Sequence, residues 1–215
     1  MKQTVLFLFV SVFLVGVSVW FTFSPLTVQG QADISKSTDR FQKDKKAEIY
    51  ELLAMVKNQS LRETDKDQVA KAIDKLGKLK SSEAISDLID VITFKVQPKA
   101  EVKNDLIVVE YHAITDFDRF PAMSALSQIG EPALSDLIKL IEKEDADSVA
   151  SNNTLEVVRA IFNENKIAFA FLQQKATESI TLEGKQRLGA AAEKTAEVVE
   201  RLKKYDESKS RKEKP

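Results

Sequence analysis

The sequence predicts an all-α chain: a short α-solenoid of stacked helical hairpins, with one irregular insertion and a long C-terminal capping helix. Three observations predict it. Apolar residues recur every three or four positions through most of the chain. Two helix–turn–helix stretches match each other in spacing and partly in identity. Only six glycines and five prolines punctuate 215 residues, too few for the many tight turns of a β-sandwich.

Composition narrows the function classes. Lys and Arg number 32 against 33 Asp and Glu, so nothing favours a nucleic-acid partner, which would want a strongly basic face. Cysteine is absent, which excludes disulfides, thiolate metal sites and thiol nucleophiles. At 43% apolar residues the chain is able to bury one sizeable core.

Residues 1–32 read as a targeting segment. Lys2 precedes the uncharged, largely apolar Val5–Phe23, Ser24–Pro25 breaks that run, and small residues stand at Val28-x-Gly30 and Gly30-x-Ala32. Cleavage after Gly30 or Ala32 is the expectation. The alternative is a retained signal anchor, since the 19 residues of Val5–Phe23 are enough to span a bilayer core of about 30 Å. Both place the remainder outside the cytoplasm, in the periplasm or the extracellular space, and only the second gives the chain a membrane partner.

Residues 33–63 form an N-terminal capping region. Asp33–Asp44 is polar and frayed, Ala47–Lys57 is helical with Ile49, Leu52, Leu53 and Val56 on one face, and Asn58–Glu63 reads as a connection. Repeats occupy 64–179. Thr64 is placed to cap the first helix, with Asp65 and Asp67 in its positive first turn. Val69, Ala72, Ile73 and Leu76 point inward, and Gly77 or the Lys80–Ser81 turn ends it. Ser82 caps a second helix whose stripe is Ile85, Leu88, Ile89 and Ile92.

The second hairpin starts at Pro121, which suits a first helical turn because its missing N–H would be unpaired there. Ala122, Ala125, Leu126 and Ile129 recur at helical spacing, Gly130 stops the helix, and Pro132 opens another with Leu134, Leu137, Ile138 and Ile141 on one face. Ala72, Leu76 and Leu79 match Ala122, Leu126 and Ile129 at a shift of 50. Ala84, Ser86, Asp87, Leu88, Ile89 and Ile92 match Ala133, Ser135, Asp136, Leu137, Ile138 and Ile141 at a shift of 49. Identity at Ser-Asp-Leu-Ile exceeds what amphipathicity demands. The bland alternative is two unrelated amphipathic hairpins.

Between the hairpins, 94–119 is an irregular insertion. Pro98 forbids a continuous helix, and Leu106–Tyr111 is β-branched and aromatic enough for a short strand or hairpin. A looser third pair follows, with Leu155, Val158, Ile161 and Phe162 on one helix, a turn at Asn163–Asn165, and Ala168, Phe171 and Leu172 on the next. Phe169 and Phe171 cannot both face one core. Thr181 caps the closing helix, 180–206, whose seam is Leu188, Ala191, Ala192, Thr195, Val198, Val199, Leu202 and Tyr205. Glu183, Arg187, Lys194, Glu197 and Arg201 fall on its wet side. Residues 207–215 read as a disordered basic tail.

Candidate chemistry gathers on the insertion. Tyr111, the sole histidine His112, Asp116, Asp118 and Arg119 lie close in sequence, as a binding or acid–base cluster would. The competing reading is a capped turn before Pro121, with an aspartate accepting backbone N–H groups and Arg119 solvated. A phosphate-binding glycine loop and Gly-x-Ser-x-Gly are both missing, and no metal or cofactor is indicated.

The pattern Ala-x-x-x-Leu-x-x-Ile-Gly-x-Pro-Ala-Leu-x-x-Leu-Ile resembles the HEAT-like repeat, including the variety found in phycobilisome lyases. The resemblance implies an α-solenoid whose second helices line a concave protein-binding surface. Carried over by position, that surface holds Asp87, Asp90, Asp136, Lys139 and Gln173. Lyases of this kind attach chromophores inside the cell, and export separates this chain from that activity. The insertion departs from the compact repeat and would lie over this surface. The expected function is therefore an exported, non-catalytic scaffold that binds another protein. The alternative is an accessory small-molecule-binding or enzyme-like domain built around His112.

Overall fold

The computed structural model describes residues 29–97, 102–103, 106–107 and 115–212, with side chains placed over 42–97 and 115–210. The apolar run Val5–Phe23, Tyr111 and His112 lie outside the described residues. The chain divides into two compact units, Met1–Gln42 and Lys43–Pro215. The described part of the first is the opening of a helix, and the core belongs to the second.

The protein is all-α. Helices α1 (Gln29–Lys57), α2 (Gln59–Thr64) and α3 (Lys66–Lys78) lead to a 3-10 turn at Ser82–Ala84 and to α4 (Ile85–Asp90). A two-residue antiparallel ladder pairs Val102 with Ile107 and Lys103 with Leu106. Then come α5 (Asp116–Arg119), α6 (Pro121–Ile129), a second 3-10 turn at Glu131–Ala133, and α7 (Leu134–Lys143). Helices α8 (Val149–Phe162), α9 (Asn165–Glu178) and α10 (Leu182–Lys212) complete the chain.

Helix α3 packs on α6, and α6 packs on α8. Helix α4 lies against α6 and α7, and α7 against α8 and α10. The closest approach is made possible by Gly77, where a Cβ would stand 2.6 Å from the Ala125 Cα. Gly77 thus serves helix packing and not helix termination, and the left-handed residue that ends the first hairpin's turn is Lys80 (φ 49°). In the second hairpin the stop is Gly130 (φ 82°, ψ −143°), a region open to glycine alone.

The two hairpins share most of one burial pattern, departing at Leu79 and Ile89, half-buried where Ile129 and Ile138 are buried, and at Ile85, buried where Leu134 is half-buried. Ala72 and Ala122, Leu76 and Leu126, Ala84 and Ala133, Leu88 and Leu137, and Ile92 and Ile141 are buried in both. Ser86 and Ser135 are exposed in both, and Asp87 and Asp136 are half-buried in both. Each second helix is preceded by a 3-10 turn, so the hairpins agree in local backbone as well.

Several local expectations are corrected. Asn58–Glu63 is not a plain connection: Asn58 caps α2, accepting from the Leu61 N–H at 3.2 Å. Thr64 does not cap α3. It belongs to α2, where its hydroxyl donates to the Ser60 carbonyl, and Asp65 caps α3 by accepting from Gln68 N–H at 3.0 Å. Ser82 caps nothing, because it sits inside the 3-10 turn. Phe169 and Phe171 are both half-buried against the core, and the Phe171 ring meets Phe162 at 4.9 Å.

Helix α10 differs most from expectation. Thr181 does cap it, accepting from Gly184 N–H at 3.0 Å. Its seam is buried from Leu188 to Thr195, but Leu202 and Tyr205 are 50% and 66% exposed. The helix also continues to Lys212, through positions expected to be a disordered tail.

Candidate functional site

Among the described residues the sequence-derived candidates fall into two groups, one on α4, α7 and α9 and one on α5. Asp87 and Asp136 stand at equivalent positions on α4 and α7 but have different partners. Asp87 meets Lys57 of α1 at 3.1 Å, whereas Asp136 meets Lys139 one turn along its own helix at 2.7 Å. Asp90 and Lys139, also equivalent by the shift of 49, are exposed and opposite in charge. Gln173 is exposed on α9, which packs mainly on α10 and α8. The main neighbours of α7 are α8 and α10, so Gln173 stands apart from the α4–α7 face.

Of the insertion cluster, Asp116, Asp118 and Arg119 lie within the described residues. They form the capped turn. The Asp118 carboxylate accepts from the Thr115 backbone N–H at 2.7 Å and from its hydroxyl at 2.8 Å, a capping box at the start of α5. Arg119 lies 3.9 Å from Asp116, with both side chains largely exposed. The Arg119 carbonyl accepts from Val96 N–H at 2.8 Å, joining the end of α5 to the backbone that follows α4.

Two side chains that helical spacing places on the wet side of α10, Arg187 and Lys194, are not left in water. Arg187 donates to the carbonyls of Glu142 and Lys143 at the end of α7, and also lies 3.5 Å from Asp145. A cation there satisfies orphan carbonyls and opposes the negative end of the helix dipole. Two turns later Lys194 donates to the Ala146 carbonyl (2.6 Å), to Asp147 (2.9 Å) and to Asn152 (3.2 Å). On α8, buried Asn153 donates to the Ile92 carbonyl at 2.9 Å. The only sequence signal for the α10 pair is that each cation precedes a buried position, Leu188 or Thr195, by one residue.

Two concavities lie away from these groups. One, about 260 Å³, is lined by Phe117, Glu156, Arg159 and Asn163, and in it Arg159 is already held by Glu156 (2.6 Å) and Asn165 (3.0 Å). The other, about 670 Å³, is an open groove between Glu164–Lys166 and the stretch of α10 from Val199 to Ser210. The exposed Glu178 carboxyl is held below its usual range by a hydrogen bond from Lys175, with a second from Gln174.

Among the described residues, no group of three or more His, Asp or Glu side chains is placed to hold a metal ion. No helix among them is long and apolar enough to cross a membrane. No protein-family model matches the chain, and neither a curated protein nor a solved structure matches it.

Proposed function

We propose that this chain is a short exported α-solenoid of HEAT-like hairpins that acts as a non-catalytic scaffold for another protein. The observation that carries it is the set of matched positions buried in both hairpins: Ala72 with Ala122, Leu76 with Leu126, Ala84 with Ala133, Leu88 with Leu137 and Ile92 with Ile141. A pattern kept on the inside leaves equivalent positions outside. Asp90 and Lys139 are such a pair, neither used by the core, on neighbouring second helices. Surfaces of this kind serve binding in stacked-hairpin proteins. Export is part of the proposal and rests on Lys2, the apolar Val5–Phe23 and the small residues up to Ala32.

The test is affinity capture with the full chain from its own cell envelope, beside an Asp90→Lys, Lys139→Glu double variant. Both residues are exposed, so the variant is expected to keep the parent's helical circular dichroism and to lose the captured protein. Equal capture by parent and variant would remove this face from consideration. Cell fractionation with N-terminal sequencing tests export, and a chain confined to the cytoplasm would refute it.

A further inference from the structure

We propose that the C-terminal half of α10 pairs with the same segment of a second copy of this chain, as a parallel, in-register two-helix seam. The proposal does not rest on the scaffold reading, because it uses a different surface.

Along α10, Leu188, Ala191, Thr195, Val198, Leu202 and Tyr205 follow a strict three–four alternation, the heptad seam of a coiled coil. The chain covers only part of it. Leu188 and Thr195 are fully buried and Ala191 nearly so, whereas Leu202 and Tyr205 are 50% and 66% exposed, and every residue from Arg201 to Ser210 is exposed. One apolar stripe therefore runs from the core into solvent on a single helix. Beside the uncovered part lies the 670 Å³ groove, walled on its far side by Glu164, Asn165 and Lys166. Lone helical ends with a wet apolar stripe gain their stability by packing that stripe.

The flanking charges select the occupant. With Leu202 and Tyr205 as the two core positions of one heptad, Arg201 and Asp206 are the residues that border the seam. In a parallel in-register pair, such a residue faces the residue five positions on in the other helix. Arg201 of each copy then faces Asp206 of the other, giving two symmetric attractions. Glu200 and Lys204, which pair with each other at 3.6 Å, fall on the outer face away from the seam. Lys209, the next seam position, faces its own copy, so the apolar seam ends at Tyr205 and the two attractions border its last heptad.

The test uses the full chain, which lacks cysteine, so that each introduced thiol is unique. Leu202→Cys, Lys209→Cys and Lys204→Cys are purified separately, checked for unchanged circular dichroism and oxidised with copper phenanthroline. Positions 202 and 209 are one heptad apart on the seam and are both expected to give a species of twice the chain mass on a non-reducing gel. Position 204 lies on the outer face and is expected to stay monomeric. Adding Arg201→Asp to Leu202→Cys is expected to slow cross-linking about tenfold, since two exposed attractions become repulsions. Adding Asp206→Arg as well restores the rate. No cross-linked species overturns the proposal. So does equal cross-linking at all three positions, which marks random collision. Cross-linking at only one of 202 and 209 marks an antiparallel pair and overturns it too, as does a charge swap that fails to restore the rate.

Discussion

The hairpins α3–α4 and α6–α7 bury five matched apolar positions, yet each is fastened to the rest of the molecule by a different residue. At the end of the first, the Ile92 carbonyl is taken by the neutral, buried Asn153 of α8. At the matching end of the second, the Glu142 and Lys143 carbonyls are taken by the half-buried cation Arg187 of α10. Both side chains come from a later helix, Arg187 meeting carbonyls that the end of α7 leaves orphaned and Asn153 one in the turn just after α4. The interior of a hairpin is thus set by its own apolar spacing, while its attachment is set by a residue outside it.

The largest effects should fall on the shared interior. Leu88→Ala and Leu137→Ala, both fully buried, are each expected to cost about 2–5 kcal/mol in urea or thermal unfolding. If one cost several-fold less than the other, the equivalence of the hairpins would fail. Next come the fastenings. Asn153→Ala leaves a buried carbonyl unpaired, at about 1–3 kcal/mol, and Arg187→Ala removes charge-assisted bonds worth a similar amount. Salt separates them: the loss on Arg187→Ala shrinks as ionic strength rises, whereas that on Asn153→Ala does not.

The crossing of the hairpins ranks third. Gly77→Ala drives a methyl group into the Ala125 backbone and is expected to cost on the order of 1–3 kcal/mol. Gly189→Ala, with open space around it, is expected to stabilise α10 by about 0.5–1 kcal/mol. The smallest effects belong to the paired aspartates. Lys57→Ala breaks a contact between elements and should cost up to about 1 kcal/mol. Lys139→Ala loses only an i,i+3 pair on one helix, about 0.2–0.5 kcal/mol. A double-mutant cycle for each pair reads this difference directly.

What the sequence disclosed was local and apolar. Leu76, Leu88, Leu126 and Leu137 are legible as core because helical periodicity forces them to one face. The Ser-Asp-Leu-Ile identity at 86–89 and 135–138 is the sign in the sequence that the two hairpins correspond. Cap positions slipped by one residue, since Thr64 and Asp65 are both competent caps and only the end of α2 decides between them. Asn153, Arg187 and Lys194 were illegible for another reason. Periodicity assigns polar residues to water, and nothing local reveals a carbonyl 45 or 61 residues away. The α10 seam was legible as a pattern, but how far the molecule covers it depends on where α9 begins.

The hydrogen bond from Val96 to the Arg119 carbonyl has a consequence for how this chain tolerates change. Because the Val96 N–H is spent on that carbonyl, proline, which has no N–H to give, is disfavoured at position 96 whatever other side chains are admitted there.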